Sequence, residues 1–157
     1  MKIIQAPNKI LEKKSKSIDK IDGEILKLIA KMFETLDGAK GVGLSAPQIG
    51  KSVSLAVVGF EPTPEMKKEK PEMKPIPKTV FINPKIIWNS QNKLVEKEGC
   101  LSCKEVEVDI PRYKKIHVEF LNEKGKKQKM RARSYIARVI QHEIDHLNGR
   151  LITDYIK

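Results

Sequence analysis

Residues 134–149 read SYIARVIQHEIDHLNG, and the spacing inside this stretch decides the architecture. It predicts a helix from about Tyr135 to Asn148, with Ser134 as its N-cap and Gly149 as a left-handed terminal glycine. Tyr135, Val139, His142 and His146 recur so as to share one face, while Ile136, Ile140 and Leu147 form an adjoining apolar stripe. Two histidines four residues apart project from successive turns, so both imidazoles can reach one metal ion. Glu143 lies about 100° further round, close enough to act on a water at that ion. The same pattern also fits two satisfied core histidines, so the neighbouring donors matter.

Working outward from this helix, the preceding segments alternate as strands. Glu105–Ile110 and Lys115–Leu121 are expected strands, and residues 122–125 turn the latter into Lys126–Arg133 as a hairpin. Thr79–Ile87 reads as a strand pair broken at Pro84, and Val53–Val58 as a strand after the glycine-bearing loop Gly41–Gly50. Asp22–Leu36 is the first helix, with Asp22 as N-cap. Lys2–Ser17 reads as an extended start with a short helical turn after Pro7. Glu61–Lys78, rich in Pro and Lys, is expected to be a flexible surface loop inside one domain. A helix wrapped by short, mostly antiparallel strands is an α+β fold, and 157 residues suit a single domain spanning 1–157.

With 39% hydrophobic and 32% charged residues, the composition is that of a globular protein. No apolar run approaches the roughly 18 residues of a membrane span, and the start lacks a leader pattern. A cytoplasmic location without a membrane partner is therefore expected. There Cys100 and Cys103 would serve as ligand or reactive thiol rather than as a disulfide. The excess of 31 Lys+Arg over 20 Asp+Glu, a net +11, fits nucleic acid, a ribosomal surface or an anionic membrane. It also fits a lysine-rich solvated exterior, and 5% aromatics look too few for base-stacking platforms.

A mononuclear catalytic metal takes three protein ligands and keeps one position for water. Cys100, in EGCLS at 98–102, is the strongest candidate to join His142 and His146. C-x-x-C at 100–103 could instead be a redox pair or half of a structural zinc site. The redox motif should open a helix, whereas a strand follows here. A structural site would need two further ligands, and His117 reads as a surface residue of its strand. Cys103 is expected to be a small buried or edge residue. GVGLSAPQ at 41–48 lets backbone approach a ligand closely but lacks the nucleotide-loop order; alone it reads equally as a plain turn.

Together GVGLSAPQ, EGCLS and QHEIDHLNG, in this order, resemble the three signature motifs of the peptide deformylases. Pro7 with Leu11, and RLITDY at 150–155, extend the resemblance over nearly the whole chain. It implies a metal on Cys100, His142 and His146, usually Fe(II), with Zn, Ni or Co open by ligand softness. It implies Glu143 as proton shuttle, and the Gln48 side chain with the Leu101 N–H as oxyanion donors. A formyl-methionyl nascent polypeptide would pair as an extended strand along Val42, Gly43 and Leu44 and along Glu98 and Gly99, losing formate. A monomer with transient ribosome association is also expected. Ser45 stands where the family commonly has Ala, and Cys103 and Lys104 replace Ile/Pro-like residues. With Tyr155 close to the last residue of the sequence, the long C-terminal helix of many bacterial members is expected to be missing. Two rivals remain. A zincin-type endopeptidase needs a further ligand after the helix, where Asp154 is the sole candidate. A basic ribosome- or nucleic-acid-binding protein would hold a closed structural Cys/His zinc.

Overall fold

In the computed structural model, which describes residues 1–156, the elements run α1 (Gly23–Ala39), β1 (Gly43–Ser45), β2 (Leu55–Phe60), α2 (Pro64–Glu69), β3 (Ile76–Asn89), β4 (Lys93–Cys100), β5 (Cys103–Tyr113), β6 (Lys115–Leu121), β7 (Lys127–Arg133) and α3 (Ser134–Leu147). Asp22 caps α1, its Oδ1 accepting from the Ile25 N–H at 3.0 Å. The buried stripe Leu28, Ile29, Met32 and Leu36 packs on Leu44, Leu55, Val57, Val80 and Ile82. Strand alternation sends their neighbours the other way. Val58 and Phe81 join Ile116, Val118 and Ala132 beneath Ala137, Val139 and Ile140 of α3.

The antiparallel sheet β1-β2-β3-β6-β7 therefore lies between two helices, α1 over its β1–β3 half and α3 across the opposite face. A second antiparallel pair, β4-β5, adds Val108 and Ile110 to a smaller cluster with Leu11, Leu151 and Ile152. The expected α+β architecture, antiparallel strands around α3, is the observed one. Among the described residues no helix is long and apolar enough to cross a membrane.

Four local expectations change. Ser134 does not cap α3. Arg133 occupies the cap position, and Ser134 sits at φ +56° with its N–H donating to the Lys114 carbonyl. The chain leaves the β7 edge through a sharp reversal, and that reversal takes Ser134's backbone. Thr79–Ile87 is not a broken pair but part of one long strand. A register shift between Ile82 and Lys85 absorbs Pro84, where a missing N–H interrupts no ladder bond. Within 61–78, Thr63 caps α2, its Oγ1 accepting from the Met66 N–H at 3.2 Å, and Pro64 starts the helix. Finally β4 appears where no strand was read, because nearly all its side chains are solvated and show no apolar alternation. Gly149 does adopt the left-handed conformation, at φ +75°, and a Cβ there would lie 2.5 Å from the Glu12 carbonyl oxygen.

Candidate metal centre

α3 points His142 and His146 at the turn joining β4 to β5. Cys100 Sγ lies 3.3 Å from His146 Nε2, and the two imidazole Nε2 atoms are 3.2 Å apart. All three donor atoms fall within 4.8 Å of one another. Ligands on one tetrahedral ion at about 2.0–2.3 Å sit roughly 3.3–3.6 Å apart, so the trio suits a single such cation. Among the described residues no fourth His, Cys or carboxylate joins the group. That leaves a coordination position open, as in catalytic rather than closed structural sites.

The imidazoles are held by a carboxylate. Glu98 is 7% exposed, and its Oε1 accepts from His142 Nδ1 at 2.9 Å. This leaves the Nε2 lone pair toward Cys100. The same carboxylate accepts from Arg112 Nε and Nη2, each at 2.9 Å, and from Arg138 Nη1. Arg112 also donates to Asp145 Oδ2 at 2.6 Å and to the Tyr155 hydroxyl at 3.0 Å. Burial alone would raise Glu98, but His142 and Arg112 outweigh it and hold the carboxyl at about 2. Burial likewise works against a charged His142, and the bond to Glu98 overcomes it and raises His142. His146 has no such partner: its Nδ1 is buried without a hydrogen bond, and burial, then His142 and Arg112, push it well down. An uncharged imidazole keeps its lone pair for a cation.

Glu143 stands beside this trio, 5% exposed, with Oε2 lacking any hydrogen-bond partner. Burial pushes its carboxyl up to about 7. Its Oε1 rests against Gly43, where any Cβ would collide with it. Gln48 is oriented from behind: the Ser45 N–H and hydroxyl both donate to Oε1, at 2.9 and 3.0 Å. Its Nε2 consequently faces Ser102 Oγ at 3.1 Å and Cys100 Sγ at 3.7 Å. Cys103 is the cross-strand partner of Cys100 and is buried. The neighbouring Cys103 thiol, with burial, keeps Cys100 above the ordinary thiol range; a bound cation would reverse this by displacing the proton.

Gln48, Cys100, His142 and Glu143 line a cleft of about 740 Å³, together with Val42, Gly43, Glu98, Gly99 and Leu101. β1 is the edge of the larger sheet and β4 belongs to a two-stranded one, so each keeps an unpaired backbone edge. Leu44 is the one expected substrate-contact residue that does not line the cleft. Its side chain is fully buried under α1, because strand alternation turns it to the opposite face from Gly43.

Polypeptide deformylase is the family whose pattern matches, over residues 1–157. This chain belongs to that family. A peptide deformylase of Brachyspira hyodysenteriae is 44% identical over 147 residues, 94% of this chain and 75% of the relative. The peptide deformylase of Ehrlichia chaffeensis, solved in complex with actinonin, superposes with a TM-score of 0.89 at 35% identity, covering 100% of this chain and 88% of that one. A probable peptide deformylase from Synechococcus phage S-SSM7 gives 0.86 at 36% identity, covering 99% of both. Beside the three deformylase motifs, the structure recruits residues that sequence reasoning passed over: the Glu98 carboxylate, Arg112, Arg138, Asp145 and Tyr155. Arg138 did carry a signal, a charged residue four positions before His142 on the buried face. Nothing near Arg112 in the chain marked it.

Proposed function

We propose that this deformylase-family chain removes the N-formyl group from formyl-methionyl polypeptides, releasing formate, with a divalent cation on Cys100, His142 and His146. Three converging donors with an open fourth position, beside a buried and unpartnered carboxylate, carry this assignment. A cation bound there supplies Lewis acidity, lowering the pKa of a water toward roughly 7 and polarising the formyl carbonyl. Glu143 takes the proton from the attacking water and delivers it to the departing amine; burial tunes it for both roles near neutrality. Gln48 Nε2 and the Leu101 N–H donate to the oxyanion that develops on the formyl oxygen, each worth about 2.7–4 kcal/mol of barrier. Ser45 positions Gln48 by holding its carbonyl end. The free edges of β1 and β4 pair the substrate backbone, at Val42, Gly43 and Leu44 on one side and Glu98 and Gly99 on the other.

The preferred metal is Fe(II); a thiolate with two imidazoles also accepts Zn, Ni or Co. The natural partner is the nascent polypeptide, met near the ribosome in the cytoplasm by a monomeric enzyme. A closed structural zinc lacks a fourth protein ligand among the described residues. The test combines metal analysis after anaerobic loading with formate release from a formyl-Met tripeptide. One equivalent of metal and catalytic turnover are expected, with no turnover of the acetyl-Met analogue. One bound metal without formate release overturns the proposal.

A further inference from the structure

The outer face of β3, β6 and β7 carries charges that neither the fold nor the metal centre uses. Every second residue of β7, namely Lys127, Lys129, Arg131 and Arg133, is basic and exposed. Pairing aligns Arg133 with Lys115, Arg131 with His117 and Lys129 with Glu119 on β6. On β3, Trp88 lies opposite His117 and Lys85 opposite Glu119. The sheet therefore presents a row Trp88–His117–Arg131, bounded by cations on both sides, with Glu119 as the one acid. Among the described residues none of the six cations lies in an ion pair. Like charges set side by side on a sheet destabilise it.

Trp88, the single tryptophan of the chain, is 46% exposed and stacks on His117 with ring centroids 4.6 Å apart. α1 leaves this face open, since its packing stops at Leu121 on β6. Lysines alone would be explained as protection of the β7 edge against pairing with another chain. That explanation does not require a half-exposed indole in their midst. An aromatic platform inside a cationic field is what unstacked bases on a phosphate backbone recognise. A membrane would call for an apolar insertion rim, and an acidic peptide offers nothing for the indole to stack on.

We infer that this sheet face binds single-stranded nucleic acid, Trp88 stacking a base while Lys115, Lys129, Arg131 and Arg133 hold flanking phosphates. The surface is separate from the deformylation cleft, and the inference does not rest on the proposed activity. The lone indole gives a direct readout. Titration with a 12-mer oligouridylate should quench Trp88 fluorescence, with a logarithmic salt slope of roughly −2 to −4 for three to six phosphate contacts. A 12-mer oligothymidylate distinguishes RNA from any single strand. Binding of labelled oligonucleotide should weaken about 5- to 150-fold in Trp88→Ala, the range for one lost stacking contact. It should weaken at least tenfold in Lys129→Glu/Arg131→Glu, with a shallower salt slope. Lys67→Glu/Lys68→Glu, an equal change of net charge on α2, should bind like the parent, and all variants should deformylate a small peptide normally. Absence of quenching, or equal weakening in the α2 control, overturns the inference. So does polyglutamate or an anionic phosphatidylserine vesicle binding as tightly with Trp88→Ala unchanged, which would make the partner an acidic protein or a lipid surface.

Discussion

Replacing Glu98 with Gln keeps the shape of the side chain and removes its charge. Glu98 Oε1 takes hydrogen bonds from His142 Nδ1 and Arg112 Nη2, and Oε2 takes them from Arg112 Nε and Arg138 Nη1. All four partners are donors. A glutamine offers one acceptor oxygen, and its NH2 group, in either orientation, faces two of those donors. Two charge-assisted bonds at about 1.5–3 kcal/mol each are lost. The sum agrees with the roughly 3–5 kcal/mol typical of breaking a buried ion pair. Arg112 keeps Asp145 and Tyr155, which limits the damage to the lower part of that range. At about 2–4 °C per kcal/mol for a chain of this size, a loss of roughly 3–4 kcal/mol should lower Tm by roughly 6–16 °C. Loss of the His142 orientation should also weaken metal binding about 10- to 100-fold. Scanning calorimetry and chelator competition read the two effects separately. A Tm within about 2 °C of the parent together with unchanged metal affinity would show that Glu98 neither anchors the arginines nor orients His142.

Glu143→Ala should keep its metal while turnover falls by about 10²–10⁴, since it removes a proton carrier and no ligand; loss of metal would make Glu143 structural. Cys100→Ser should lose metal affinity sharply and Cys103→Ser should not, by metal analysis after loading, because serine offers no thiolate; similar behaviour of the two would break the three-donor assignment. Gly43→Ala should lower kcat by about 10² while Tm and metal content stay near the parent, as the new Cβ displaces the Glu143 carboxylate rather than backbone. Parent-like kcat would place the working position of Glu143 elsewhere. Gly149→Ala forces a side chain into the left-handed region at about 1–2 kcal/mol and drives a Cβ against the Glu12 carbonyl. Thermal unfolding should shift down by at least about 2–8 °C, and an unchanged Tm would contradict the backbone conformation at Gly149.

Much of the candidate site was readable from the chain because it is local. His142, Glu143 and His146 lie within five residues, and helical periodicity alone puts their side chains together. Asp22 and Gly149 were readable for the same reason, a cap being a contact between near neighbours. Cys100 was reached by counting ligands, a chemical rather than a geometric inference. Local signals failed where long-range backbone overrode them: at Ser134, drawn into the reversal off β7, and at Pro84, absorbed by a register shift. They were also silent on β4, whose solvated side chains carry no alternation and whose strand exists because β5 pairs with it. The Glu98 network and the Trp88 surface lie furthest from sequence reasoning. Glu98 meets Arg112 across 14 residues and Arg138 across 40, and an arginine's neighbours in the chain do not reveal which buried carboxylate it will answer. Composition put aromatics at 5%, too few for a platform. Only the pairing of β3, β6 and β7 gathers the single tryptophan and six separated cations onto one face, since strand register, set by the sheet as a whole, chooses which side chains become neighbours.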